Sequence, residues 1–216
     1  TLFRSRLRPD PSVTPVCMGV DAAERYYASL GRTWERAAFI KARVCAGDHS
    51  AGIKFLKNME PFVWRKYLDY AAISDAHDIR LRIRDHYKTK NGEITLPKHN
   101  MKLGRGGIRD IEFFTQTHQI IFGGKDKTIR SRATITSLRA IADKKWIPEV
   151  LVNDLIENYR FYRIIEHRLQ MINDAQTHEL PNSDQGFVRL ACLMGVGKDD
   201  LQKELVERLT ETNSAI

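Results

Sequence analysis

Between Pro148 and Asp174 the apolar residues Leu151, Leu155, Tyr159, Tyr162, Ile165, Leu169 and Ile172 recur at steps of three and four. That period lines side chains along one face of an α-helix. A helix of such length must bury its stripe against other elements, and this constrains the fold more tightly than any other feature of the chain. Pro148 is expected at the first helical position, where its missing N–H costs nothing. A second stripe on the same helix is polar: Arg160, Arg163, His167, Gln170 and Asp174. Two shorter helices are expected over 184–194 and 198–210, separated by Gly195 and Gly197. The chain therefore reads as mainly α, built as a helical bundle.

The residues upstream extend that reading. Asp21 is expected to N-cap a helix running to about Leu30, and Gly31 interrupts it. A helix from Thr33 would set Arg36 and Arg43, seven apart, on one face and Trp34, Ala38 and Lys41 on another. Residues 50–72 read as helix broken at Pro61, with Phe62, Trp64, Tyr67 and Tyr70 as core aromatics. Arg80, Arg82 and Arg84 alternate with Ile79, Leu81 and Ile83, which by period alone is a half-buried strand, although Ser74-Asp75 ahead of them resembles a helix cap. Asn91-Gly92 and Pro97 mark 88–101 as a linker or hairpin, and a further helix is expected over 129–143.

The stretch from Lys102 to Gly124, KLGRGGIRDIEFFTQTHQIIFGG, is chemically the richest. Gly104, Gly106 and Gly107 let a backbone or a phosphate approach closely, and a helix starting near Gly107 presents N–H groups at its positive end, with Arg105 and Arg109 adding charge. Arg109, Glu112, Gln116 and Gln119 fall on one polar stripe, while Ile108, Ile111, Phe114 and Ile121 face a core. The plainer reading is a glycine run followed by an ordinary amphipathic helix. No GK[ST] follows the glycines, so this is not a phosphate loop of the Walker type.

Composition narrows the function classes. A chain of 216 residues with 42% hydrophobic and 29% charged residues can bury a sizeable core and is expected to be globular and soluble. It holds no apolar run of membrane-spanning length and no signal-peptide pattern, so the expected location is the cytoplasm. Cys17, Cys45 and Cys192 are far apart and odd in number, which favours free thiols over disulfides or a zinc site. His77, His86, His118 and His167 lack metal-ligand spacing. A net charge of +8 admits a nucleic-acid-binding helical domain as a rival, but the cations are dispersed and no aromatics interleave with Arg80, Arg82 and Arg84.

Four segments, RLRPDP (6–11), GRTWERAAFIKAR (31–43), KLGRGGIRDIEF (102–113) and RFYRIIEHRLQMINDAQTHELP (160–181), occur in order. Together they resemble bacterial glutamine synthetase adenylyltransferase/adenylyl-removing enzyme, a bifunctional family with two related halves, each a nucleotidyltransferase domain followed by a helical domain. The wording at 31–43 and 102–113 is similar to the N-terminal half, which removes AMP from adenylylated glutamine synthetase by phosphorolysis. The resemblance implies a truncated end of an α/β nucleotidyltransferase domain over 1–46, connecting helices and linker over 47–100, and the helical bundle over 101–216. It also implies Mg²⁺ and ATP or ADP for the intact enzyme, with glutamine synthetase and a PII-type signalling protein as partners in a bacterial cytoplasm.

Nucleotidyl transfer needs carboxylates that hold Mg²⁺ against phosphates. In the resembling family one such Asp opens a DLRLRP string, just before the RLRP segment; here Arg4 occupies its place, and the upstream acidic pair has no counterpart. Asp10, between two prolines, is expected to form a turn rather than to substitute. The pentapeptide TLFRS (1–5) is what the adapter ACGCTCTTCCGATCT would encode, so native sequence is expected from Arg6 onward. No catalytic residue and no metal ligand is therefore assigned, and the chain is expected to be inactive alone. Arg6, Arg8, Arg36, Lys41 and Arg43 are the candidates for contacting phosphate or nucleotide, with Arg109, Glu112 and Arg163 as candidates on the bundle face. The alternative is a non-catalytic helical module that binds glutamine synthetase or a PII-type protein.

Overall fold

The computed structural model describes residues 17–66 and 94–216. Arg6, Arg8, Asp10, Tyr67, Tyr70, His77, His86 and the Arg80–Arg84 run lie outside them, as do residues 1–16 of the expected nucleotidyltransferase remnant. The described residues are mainly helical and form no strand, only an isolated antiparallel bridge between Asn100 and Glu179. They divide into two compact units: 1–77 with 116–137, and 78–115 with 138–216.

In the first unit, α1 (Val20–Ser29), α2 (Thr33–Ile40), α3 (His49–Asn58) and the short α4 (Glu60–Val63) enclose a core of Tyr27, Phe39, Ile40, Met59, Phe62 and Val63. Tyr27 packs edge-on to Phe39 and tilted against Phe62, at centroid distances of 4.8 and 5.3 Å. Asp21 lies inside the first turn of α1 rather than capping it, Gly19 being the N-cap. Such a carboxylate still complements the helix dipole there. α3 is capped by Asp48, whose Oδ1 accepts from the Ser50 and Ala51 N–H groups at 2.8 and 3.1 Å. The expected break at Pro61 is present, with Pro61 in the opening turn of α4.

The second unit is built on α7 (Glu149–Asn173), the long helix read from the sequence, with Pro148 one residue earlier than expected, as its N-cap. α7 packs against α8 (Asp184–Met194) and α9 (Lys198–Ala215), which pack on each other. Leu155, Tyr162, Ile165 and Leu169 are all at most 3% exposed, as the stripe requires. A polar knot joins α7 to α9: Asn158 Nδ2 donates to Thr212 Oγ1 at 3.1 Å, Tyr162 Oη and Thr212 Oγ1 share a hydrogen bond of 3.0 Å, and Arg208 donates to Asn158 Oδ1 at 2.7 Å. Every member is partnered, so burying them does not carry the penalty of an orphaned polar group. The expected helix over 129–143 is two elements, a 3₁₀ turn (Lys127–Ile129) and α6 (Thr134–Asp143). α5 (Ile108–Phe122) begins in the second unit and ends in the first.

Candidate functional site

The glycine-rich turn ahead of α5 does not offer its N–H groups to a ligand. Gly106 N–H donates to the buried Asp110 Oδ2 at 2.9 Å, Gly107 to the Gly104 carbonyl at 3.1 Å, Ile108 to Met101 at 2.9 Å and Arg109 to Lys102 at 2.9 Å. The donors that an anion would need are therefore consumed internally. The glycines serve close packing instead. Gly106 has φ +70° and rests on the Leu209 carbonyl of α9, leaving no room for a Cβ. A Cβ on Gly104 would stand 2.5 Å from the Asn100 carbonyl and 2.7 Å from the His99 imidazole. Ahead of the turn, Asn100 Oδ1 accepts from Lys102 N and Leu103 N at 3.1 and 2.8 Å, while Met101 N donates to the His178 carbonyl and Leu180 N to that of His99. The phosphate-cradle possibility is thus replaced by a turn that is a packing joint.

Around it stand the bundle-face candidates. Arg109 pairs with Glu112 at 3.3 Å, as the i,i+3 spacing predicted, and its guanidinium lies 4.6 Å from the Phe113 ring centre. Tyr159 Oη donates to Glu112 at 3.4 Å, tying α5 to α7. Arg163 pairs with Glu166 at 2.6 Å, and the other oxygen of this buried carboxylate is 2.8 Å from His178 Nδ1. Sequence reasoning singled out Arg163 but passed over Glu166 and His178. The i,i+3 spacing of Arg163 and Glu166 was a legible signal, whereas nothing local announces a histidine twelve residues further on. His99 was missed too; burial holds its imidazole at a pKa of about 4, a hydrogen bond with the Arg105 main chain working weakly the other way.

The polar stripe expected on α5 is only partly a surface. Gln116 and Gln119 are 3% and 0% exposed, and the Gln119 amide nitrogen lies within 2.8 Å of Ile129 O, Ser131 O and Ser137 Oγ. Periodicity found the stripe but could not show that the loop following α5 folds back over it.

In the first unit the cationic candidates take different situations. α2 stops at Ile40, so Arg43 lies beyond it and does not share a helical face with Arg36. Arg36 is 2% exposed, and its Nε and a terminal nitrogen donate to the Val63 carbonyl at 3.4 and 3.2 Å. Glu35, also buried, accepts from Arg32 N at 2.8 Å and from the Tyr26 hydroxyl at 3.2 Å. Lys41 Nζ donates to the Arg132 carbonyl at 2.6 Å and to Thr134 Oγ1 at 2.9 Å, while Arg43 is exposed. Among the described residues no three His, Cys, Asp or Glu side chains converge on a point where a metal ion would sit, and no step is routed through one.

Comparison with known proteins decides what this arrangement belongs to. Residues 2–58 match the family model described as glutamate-ammonia ligase adenylyltransferase, and residues 77–216 match that described as GlnD PII-uridylyltransferase. The chain is 54% identical over 196 residues to the bifunctional glutamine synthetase adenylyltransferase/adenylyl-removing enzyme of Rhizobium meliloti (strain 1021), covering 90% of this chain and 20% of that protein. The chain belongs to the glutamine synthetase adenylyltransferase/adenylyl-removing enzyme family. Proteins of the same description from Mesorhizobium japonicum and Bartonella quintana are 50% and 53% identical over 91% and 88% of the chain. The chain spans about a fifth of the length of these curated relatives. The family is a nucleotidyltransferase family, and the residues described here contribute helical structure to it. Among them no helix is long and apolar enough to cross a membrane.

Proposed function

We propose that this chain is part of the adenylyl-removing half of a bifunctional glutamine synthetase adenylyltransferase of the bacterial cytoplasm. The observation that carries the reading is identity of about one residue in two with relatives of that description over some nine-tenths of the chain. The half is chosen on the wording GRTWERAAFIKAR and KLGRGGIRDIEF. In this reaction an oxygen of inorganic phosphate attacks the adenylyl phosphorus on a tyrosine of glutamine synthetase. The bond to the tyrosine oxygen breaks, that oxygen takes a proton, and ADP leaves. Charge neutralisation and positioning supply the rate, with Mg²⁺ and nucleotide held largely by the preceding domain, whose end we assign to 1–46. Arg6, Arg8 and Arg43 are the direct anion contacts in this proposal. Arg36 and Lys41 act from behind, holding the carbonyl groups of Val63 and Arg132 so that the segment bearing Arg43 keeps its course.

A second reading is a non-catalytic module that binds glutamine synthetase or a PII-type signalling protein. It draws on the family model over 77–216, whose description names PII uridylyltransferase. Titrating Mg²⁺-ATP and Mg²⁺-ADP into the chain separates the two. Saturable, metal-dependent binding weakened by Arg43→Ala supports the enzymatic reading; no nucleotide binding alongside retained binding of glutamine synthetase or of a PII protein supports the module.

A further inference from the structure

Arg43 is exposed on a short span between two fixed points of the first unit. On one side Val44 is seated on α3, where a Cβ on Gly52 would stand 2.6 Å from Val44 Cγ2. On the other, Lys41 closes α2, its N–H donating to the Ala38 carbonyl at 3.1 Å and that of Ala42 to Phe39 at 3.0 Å. The Lys41 ammonium reaches residues 91 and 93 places further along the chain, the Arg132 carbonyl at 2.6 Å and Thr134 Oγ1 at 2.9 Å. A lysine stem is flexible and its ammonium donates in any direction, so the span is placed no better than the loop that receives it. Gln119 and Ser137 place that loop. The fully buried Gln119 aims its amide nitrogen at the Ile129 and Ser131 carbonyls and at Ser137 Oγ, at 2.7, 2.8 and 2.8 Å. Ser137 Oγ lies in turn 3.0 and 3.2 Å from the Ser131 and Ala133 carbonyls. The consecutive carbonyls of residues 131, 132 and 133 thus meet Gln119, Lys41 and Ser137, and rigid peptide planes join them.

We propose that Gln119 is a positioning residue for Arg43. Its amide fixes the Ser131 carbonyl, the adjoining Arg132 carbonyl and the Thr134 hydroxyl fix Lys41, and Lys41 sets the course on which Arg43 leaves α2. A contact between Arg43 and a phosphate is then pre-organised by a side chain that never touches the ligand. Gln119 and Thr134 are both buried, so water does not readily replace a partner lost at either. The role rests on Arg43 as the anion contact proposed above; the coupling of Gln119 to residues 41–44 does not.

Hydrogen exchange at the Lys41 and Ala42 amides of the folded chain reads the coupling. Gln119→Met keeps the bulk and removes the donors, and Lys41→Met removes the ammonium. Each is expected to speed exchange at both amides by about 5-fold, the scale of one net hydrogen bond. Because the two act through one route, the double variant is expected to match Lys41→Met within about 2-fold. Multiplied effects in the double variant overturn the proposal, as does a Gln119→Met that speeds exchange over 129–134 and leaves Lys41 and Ala42 at the parent rate. Met59→Ala loosens the same core elsewhere and is expected to act independently of Lys41→Met; if its effect also vanishes in that background, non-additivity belongs to the unit as a whole and the proposal falls. Gln119→Asn, which withdraws the amide by one methylene, keeps the cycle valid if helical circular dichroism shows that Gln119→Met unfolds the protein. Titration with Mg²⁺-ADP separates the coupling from the role. Gln119→Met is expected to weaken binding about 3-fold or more, and to add nothing to Arg43→Ala. Unchanged affinity in Gln119→Met overturns the role at Arg43, whereas a parent chain that binds no nucleotide, with the exchange coupling present, overturns the anion contact at Arg43 and not the coupling.

Discussion

At single positions the turn ahead of α5 makes the sharpest demands. Gly106 combines a positive φ with contact against the Leu209 carbonyl, so Gly106→Ala meets both left-handed strain and a steric clash. The expected cost is at least about 2 kcal/mol, read as a lowered urea midpoint, and a variant as stable as the parent would remove the packing account. Close by, His99 titrates against the fold. Its imidazole is 8% exposed and its pKa is about 4, below the ordinary 6.5, because burial penalises the charged form. The unfolded chain therefore binds the proton first as pH falls, and stability present above about pH 6.5 is lost progressively toward pH 4, by about 3 kcal/mol in all. His99→Gln is expected to flatten that part of the stability–pH profile measured by urea unfolding; an unchanged slope between pH 6.5 and 4 assigns it to other groups.

At the scale of elements, sequence and structure agree where a helix carries its own evidence. The boundaries 184–194 were legible because Ser183 caps one end and Gly195, at φ +74°, the other, and α7 was legible from its stripe. What the sequence withheld is what lies over each face. Gln119 reads as a surface residue by period, yet its amide holds the carbonyls of Ile129 and Ser131 and the Ser137 hydroxyl. That contact is also the reason the expected helix over 129–143 is interrupted, since carbonyls turned toward Gln119 and Lys41 are unavailable to a helical ladder. The candidate site shows the same division: the Arg109–Glu112 and Arg163–Glu166 pairs follow from spacing, whereas His178 at Glu166 depends on the pairing of 99–101 with 178–180. Gln119→Leu is expected to take the amide donor from the Ile129 carbonyl and leave the Ser131 carbonyl to the Ser137 hydroxyl, costing about 2 kcal/mol and exposing amides 129–134 to faster hydrogen exchange. Unchanged exchange there would mean that Lys41 and Ser137 hold the loop without Gln119.

Across the whole molecule, each compact unit has, among the described residues, a tyrosine deep in its core, and the phenols of Tyr27 and Tyr162 make the units separately observable. Tyr27, 2% exposed, has a hydroxyl without a hydrogen-bond partner among the described residues, and burial first, then the nearby charge of Glu35, raises its pKa far above the ordinary 10. Tyr162, fully buried, is raised as strongly by burial, with its hydrogen bond to Thr212 acting weakly against the shift. A folded-state pKa raised above the unfolded value stabilises the fold fully below pH 10, and that contribution is lost as pH climbs beyond it. Neither phenol should ionise until its unit opens, so the phenolate absorbance at 295 nm is expected to lag behind that of free tyrosine and to complete only with the loss of helical circular dichroism. Tyr27→Phe and Tyr162→Phe each remove one step. If the two units open together, the two missing steps coincide in pH; if they open separately, the steps divide and each follows its own part of the helical signal. Smooth ionisation of all seven tyrosines near pH 10 with the helices intact would show that neither core excludes water as the packing requires.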